Sequence, residues 1–353
     1  MRELERPFLV IGAGSSGTTL LSTILDSHPR LACGPELSFF NKKDVYKDFK
    51  SLRKNVAEYM QNGLATNGQA EYRVFMNNLD AYFHTESEVI RKIKNSSSLK
   101  DFLNKFFEKY LIKRGKSRWG EKTGSNSYCI ENFTKVYPEA KVVHIVRDGR
   151  DAVCSLEKRS NSLFHSVSHW VYNVSASIKH RKQDYYLEVK YEDLVTKTEA
   201  VLERVFDHIG ENFNKRGIKK ENSYWYSYSD GNVHSSWGQS PFEEITDESV
   251  GRHLEEMSDE VRSLFWSTRL TPHARKLLGV NYHGAEQLMG LLGYEEPLKS
   301  SLPPVPFRHL RVGMREYIGR LSRELAEQSR FWQPLTWVPP KYYLFPVKPS
   351  VDL

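Results

Sequence analysis

The stretch Phe8–Pro29, FLVIGAGSSGTTLLSTILDSHP, decides the fold. Phe8 to Ile11 is a short uninterrupted apolar run closed by glycine, the pattern of a strand buried on both faces. Leu20, Leu21, Ile24 and Leu25 then recur at helical spacing until Pro29 stops the helix. The intervening GAGSSGTT is therefore a strand-to-helix loop. Its successive backbone N–H groups and the hydroxyls of Ser16, Thr18 and Thr19 suit an anion at a helix N-terminus. Two phosphate-binding patterns overlap there. Gly12, Gly14 and Gly17 complete GxGxxG, the dinucleotide fingerprint, but the acid at the expected distance, Glu36, follows Gly34 and Pro35 instead of closing an apolar strand. Gly12, Gly17 and Thr19 also fit GxxxxGK[ST], except that Thr18 stands where a lysine would reach the β- and γ-phosphates, which argues against ATP or GTP hydrolysis. What remains common to both is a cradle for a phosphate-like group.

The alternation continues outward from this unit. AKVVHIVRDGRDAVCSL repeats the strand, turn and helix around Val142–Val146, and YYLEVKYEDL leads into a helix whose Val201, Leu202, Val205, Phe206 and Ile209 share one face. Repeated strand–helix units predict an α/β fold, a P-loop-like parallel sheet flanked by helices. Residues from about 41 to 118 break the rhythm with lysine-rich, aromatic, helical sequence in which Leu99, Phe102, Leu103, Phe106 and Tyr110 line one side. They read as an insertion covering the ligand edge of the sheet, with Phe39, Phe40, Tyr46 and Phe49 as an apolar wall for an acceptor. Beyond Pro297, SLPPVPF and a basic amphipathic segment with Leu310, Met314, Ile318, Leu321 and Leu325 form a C-terminal extension. It could dock on its own domain, on a second subunit or on a membrane surface. The division expected is a main domain over 1–297 and the extension over 298–353.

Composition narrows the ligand. The 353 residues are 39% hydrophobic, enough for a large core, and 51 Lys and Arg against 44 Asp and Glu give a net charge of +7. That balance favours an anionic ligand, yet no helix-turn-helix, zinc or aromatic-platform signature points to nucleic acid. Cys33, Cys129 and Cys154 lack CxxC spacing, so neither a disulfide framework nor a metal site is expected. No apolar run approaches the roughly 18 residues of a membrane span, and the expectation is a cytoplasmic protein.

A second anion-binding element lies far along the chain. IVRDGRDAVCS puts Arg147 at the C-terminal end of a strand and Ser155 about two turns into the next helix. A planar guanidinium with a nearby hydroxyl suits a second phosphate. Asp148 is placed to cap that helix, and Arg150 and Asp151 read as a solvated pair. Two anion sites on one sheet edge imply a ligand with two separated phosphates.

At these residues the chain resembles the sulfotransferases that use 3′-phosphoadenosine 5′-phosphosulfate (PAPS), releasing the bisphosphate PAP. The family's [RK]-[ST]-G-T-[TS] loop corresponds to SSGTT, its V-R-D-x-R-[DE]-x-x-x-S segment to VRDGRDAVCS, its W-x-[DE]-K-[ST]-P stretch to WGEKTG, with Gly124 in place of proline, and its strand-end tyrosine motif to YEDL. The likeness covers roughly Pro7 to Phe40 and Trp119 to Glu296, and its layout is nearest the tyrosylprotein and bacterial branch. It implies that Gly14, Ser15, Ser16, Gly17, Thr18 and Thr19 hold the 5′-phosphosulfate, with Ser15 replacing the usual Arg or Lys. It further implies that Arg147 and Ser155 hold the 3′-phosphate and that Tyr191 approaches adenine. Lys122 is the residue expected against the bridging oxygen. Glu36, in SHPRLACGPE, matches the general base, with His165 and His169 as competing bases. Ser235 or Ser236 in NVHSSWG would add a donor to the phosphosulfate, His234 is a structural partner, and Arg252 in VGRH is the late basic position. The activity implied is transfer of a sulfuryl group to a hydroxyl or amine of a small-molecule, lipid, glycan or peptide acceptor. A P-loop-like kinase or NTPase, or a PAP-binding protein that has lost catalysis, are the alternatives.

Overall fold

In the computed structural model the first apolar run forms β1, Phe8–Ile11, with all four side chains buried. The model describes residues 4, 6–37, 39–40, 46, 48–50, 52–54, 56, 78–158, 162–213, 223–224, 244–294, 301–315, 318 and 336–347. After β1 come α1 (Thr18–Ser27) and β2 (Leu31–Gly34). Then follow α2 (Glu86–Lys94), α3 (Leu99–Arg114), β3 (Arg118–Lys122), α4 (Ile130–Val136) and β4 (Lys141–Val146). Next are α5 (Gly149–Glu157), α6 (Leu163–Ile178), β5 (Tyr186–Lys190), α7 (Tyr191–Thr196) and α8 (Thr198–Ile209). The later elements are α9 (His253–Glu256), α10 (Asp259–Ser267), β6 (Arg269–Leu270), α11 (Pro272–Leu278), α12 (Ala285–Leu291), β7 (Thr336–Trp337) and α13 (Lys341–Leu344).

The five main strands make a parallel sheet in the order β2-β3-β1-β4-β5, the α/β architecture expected from the alternation. β1 sits in the middle, with Val10 opposite Lys122 of β3 and Val143 of β4. Adjacent strands therefore deliver the glycine loop after β1 and the Arg147 turn after β4 at the same C-terminal edge, where ligands of open α/β sheets bind.

The chain forms two compact units. The first comprises Met1–Gly12, Gly17–Ile145 and Arg181–Ile245. Its strand side chains alternate between two cores. Leu9, Ile11 and Trp119 face Phe102, Phe106 and Phe107 of α3, while Phe8, Val10 and Ile145 face Leu21 and Ile24 of α1 and Phe206 of α8. Phe39 and Phe40 are 2% and 1% exposed, and Phe40 stacks on Trp119 at 5.8 Å. The aromatic residues expected to form an acceptor wall thus belong to the core, with Tyr46 and Phe49 packed against it. The side chains of Phe39 and Phe40 are spent closing the sheet face.

β2, LACG, is a buried strand despite the Gly34 and Pro35 that argued against one before Glu36, and β3 is a strand the apolar pattern misses. It reads RWGEK, and all five residues are buried. Its charges are each matched: Arg118 donates to the carbonyls of Arg6 and Ile209 and meets Glu211 at 3.3 Å. Gly120 is needed because a Cβ there would lie 2.2 Å from the Phe8 ring.

The second unit comprises Ala13–Ser16, Val146–His180 and Thr246–Leu353. Within it α5 and α6 pack together, and Trp170 of α6 meets Phe265 of α10 at 5.5 Å. The described part of the extension docks on this same unit: β7 pairs antiparallel with β6, Thr336 bonds Ser168, and Glu260 takes both Arg308 and His309.

Candidate functional site

The loop after β1 is shaped by two left-handed residues. Ser15 has φ 65° and Gly17 has φ 90°. Gly17 is required twice over, because a Cβ there would also meet the Tyr191 ring at 2.5 Å. Gly17 is the N-cap of α1, and no side chain among the described residues caps this helix, which leaves its first N–H groups suited to an anion. Ser16 is wholly buried, and its Oγ has no hydrogen-bond partner among the described residues. A buried orphan hydroxyl beside open helix amides fits an anionic group. The Gly14 N–H donates to Nε2 of His169 at 3.1 Å, which places the ring proton of the neutral imidazole on Nδ1. His169 therefore braces the loop, contrary to its reading as a competing base, because its basic nitrogen is already engaged. His165 lies beside it, 6.1 Å between ring centroids.

Lys122, the last residue of β3, is 3% exposed, and its Nζ donates to Glu36 Oε1 at 2.7 Å and to Thr19 Oγ1 at 3.2 Å. The two residues expected to catalyse and one of the loop hydroxyls thus converge from three separate segments. Glu36 remains 44% exposed and open to an incoming group. Beneath it lies Glu121, which sequence reasoning passed over. Its carboxylate is fully buried and accepts from the Leu37 N–H at 3.0 Å, from Thr123 Oγ1 at 2.5 Å and from Asn126 Nδ2. Burial pushes this carboxyl up to about 7, despite those donors. By gripping Leu37, Glu121 ties the loop of Glu36 to the strand of Lys122. Its only sequence signal was its place in WGEKTG. The glycine that replaces the family's proline there also has a reason: a Cβ on Gly124 would lie 2.3 Å from the Gly12 carbonyl.

On the other motif, the Arg147 Nη1 donates to the Ser15 carbonyl at 2.9 Å and Nη2 to the Ser249 carbonyl, while the Trp170 indole N–H donates to the Arg147 carbonyl at 3.2 Å. Arg147 thus turns toward the glycine loop. Ser155 is half-buried on α5. Asp148 caps α5 through the Arg150 N–H at 2.9 Å, as its position implied. Arg150 and Asp151, however, are not a solvated pair. Arg150 forks onto Asp148 at 2.9 and 2.6 Å, and Asp151 accepts from the Gly251 and His253 N–H groups and lies 2.6 Å from His253 Nδ1. Burial raises the Asp151 carboxyl, but the bonds from His253 and Gly251 outweigh it and hold it below the usual range. Both groups are buried because Asp148 and the 251–253 turn supply better partners than water. Arg252 pairs with Glu256 at 3.3 Å, and its buried Nε has no hydrogen-bond partner among the described residues. Tyr191 is 6% exposed and its ring covers Gly17. Ser235, Ser236 and His234 lie outside the described residues. The three cysteines are free and buried, and burial pushes the Cys154 thiol up to about 12. Among the described residues no cluster suited to a metal ion occurs, and no helix is long and apolar enough to cross a membrane.

A parallel sheet with a glycine loop after its central strand and an arginine after the neighbouring strand defines a P-loop-like α/β protein, an architecture suited to an anionic ligand. The model of the sulfotransferase family matches residues 7–215, more than half of the chain, and the protein belongs to that family of sulfuryl-transferring enzymes. Similar solved structures include the sulfotransferase domain of the Synechococcus PCC 7002 olefin synthase, at 17% identity over 83% of this chain and 95% of that one, with a TM-score of 0.47. The sulfotransferase domain from the curacin biosynthetic pathway is 17% identical over 83% of this chain and 98% of that one, with a TM-score of 0.45. Sulfotransferase STF9 from Mycobacterium avium is 14% identical over 80% and 79%, with a TM-score of 0.39. A search of curated proteins gave no match.

Proposed function

We propose that the sulfuryl donor is PAPS and that Lys122 and Glu36 carry the transfer to a hydroxyl or amine of the acceptor. The observation that carries this reading is the Lys122 ammonium held between Glu36 and Thr19, at 2.7 and 3.2 Å. When bound, PAPS supplies a sulfuryl group on a phosphate leaving group. The loop from Gly14 to Thr19 holds the 5′-phosphosulfate through the amides at the start of α1 and the hydroxyls of Ser16, Thr18 and Thr19, and the orphan Oγ of Ser16 supports that role. Arg147, Ser155 and Arg252 hold the 3′-phosphate, a role supported for Arg252 by its buried, unbonded Nε. Tyr191 supports the cofactor through the ring it lays on Gly17.

Glu36 takes the proton of the acceptor hydroxyl while the acceptor oxygen bonds to sulfur. With PAPS held in the loop, Lys122 would offer its charge to the bridging oxygen that leaves with the phosphate. Positioning and charge neutralisation supply most of the rate, as in phosphoryl transfer. Lys122 also takes over the neutralising task that falls to a basic residue where this loop has Ser15. Nothing in the site favours phosphoryl transfer, since Thr18 offers no ammonium to a γ-phosphate.

The test is a mass-spectrometric screen with labelled PAPS against pooled hydroxylated metabolites and glycans, combined with titration calorimetry of PAP. Glu36→Gln is expected to lower turnover by about 10²–10⁴ while PAP binding survives. Lys122→Ala should lower it by about 10²–10³. Wild-type protein that fails to bind PAP, or variants with unchanged turnover, would refute the proposal.

A further inference from the structure

Two adjoining cavities in the second unit are lined by none of the residues proposed for sulfuryl transfer. One, of about 380 Å³, is an apolar groove walled by Leu310, Met314, Ile318, Val338 and Tyr343. The other, of about 280 Å³, is bordered by Arg269, Arg275, His283, Glu286 and Lys341. Pro272 and Trp337 line both. All these residues follow the segment matched by the family, and none belongs to a motif that the transfer reaction uses.

The groove is open: Met314, Ile318 and Trp337 are 54%, 55% and 40% exposed, although β7 pairing and the Ser168 to Thr336 bond hold the backbone of its wall in place. Apolar side chains exposed together around a concave surface of ligand size mark a binding site more often than a bare surface. The polar cavity sets the charge of what binds. Three cations face one carboxylate. Arg269 is committed to Glu286 at 3.3 Å and to the Tyr342 hydroxyl at 2.9 Å. Arg275 and Lys341 make no ion pair among the described residues. The Arg275 Nε is buried with no hydrogen-bond partner among them, and Lys341 lies 4.9 Å from the Tyr342 ring. An acyl chain alone would leave that guanidinium unanswered, and a small anion alone would leave the groove wet.

We propose that this pair of cavities binds a single-chain amphiphile with an anionic head, a fatty-acid carboxylate in the simplest case. The head lies against Arg275 and Lys341, the chain passes Trp337, and the tail fills the groove beside Leu310 and Met314. Burial of the chain supplies most of the affinity, and the charge-assisted bond to the partly buried guanidinium selects an anionic head.

The experiment is calorimetric titration of the full chain with sodium dodecanoate below its micellar concentration, with dodecanol and with acetate. Dodecanoate is expected to saturate at one molecule per chain, and dodecanol and acetate to bind about tenfold more weakly or less. Arg275→Gln combined with Lys341→Gln should cost about tenfold in dodecanoate affinity, and Met314→Trp should block the groove. These side chains are wholly or partly exposed, so PAP binding and the ligand-free melting temperature serve as checks that each variant is folded. The inference falls if dodecanol binds as well as dodecanoate, or if folded variants bind unchanged. It also falls if the chain ignores dodecanoate and binds phosphatidylglycerol vesicles, which would make the surface a membrane contact.

Discussion

Replacing Glu121 with glutamine separates what its charge does from what its shape does. The carboxyl titrates near 7 in the folded chain against a usual value of 4.5, because burial penalises the anion more than its three donors reward it. The folded state therefore holds the proton more tightly than the unfolded state. That contribution to stability is fully present below about 4.5 and is lost as pH rises toward 7. The shift corresponds to a loss on the order of 3 kcal/mol across that window, flat above it. In Glu121→Gln the side-chain carbonyl can still accept from Leu37 and Thr123. A flip of Asn126 brings its Oδ1, buried and unbonded in the native protein, to the new amide. Urea unfolding of both proteins in steps from about pH 4.5 to 8.5 reads the difference directly. The variant should gain on the wild type by about 3 kcal/mol as pH rises through the window, since only the wild type titrates there. A difference that stays constant with pH would refute the assignment of a protonatable, desolvated carboxyl at this position.

Gly17→Ala should cost about 1–2 kcal/mol for its left-handed backbone and about 1–3 more for the clash with the Tyr191 ring. Pairing it with Tyr191→Ala in a double-mutant cycle should recover the second part alone. His169→Ala leaves the Gly14 N–H without its acceptor, so PAP affinity should fall by about 1–3 kcal/mol while the pH–rate profile keeps its shape; a lost basic limb would restore His169 as the base. Asp148→Ala removes the forked partner of the buried Arg150 guanidinium and uncaps α5, and thermal unfolding should show a loss of about 1–3 kcal/mol.

Much of the sheet was legible because β1 and β4 are apolar runs and β5 an alternating one, each followed by helical periodicity, and their order is what repeated strand–helix units produce. The glycine loop was equally plain, since glycine at a strand-to-helix junction answers a backbone need that composition displays. β3 was hidden for the opposite reason. Arg118, Glu121 and Lys122 look like surface, and only partners drawn from distant segments, Glu211, Leu37, Glu36 and Thr19, make their burial tolerable. The meeting of Glu36 with Lys122 was inferred from motif likeness, and no local pattern would have produced it. Asp148 was read correctly as a cap, whereas Asp151 was misread because its partner, His253, lies about a hundred residues away, beyond the reach of any local rule.

The placement of Lys122 has a consequence for how the enzyme ages. Its ammonium rides on an interior strand of the sheet, where the Lys122 backbone is in register with Val10 of the central strand. Heat should therefore displace that lysine only together with the middle of the sheet.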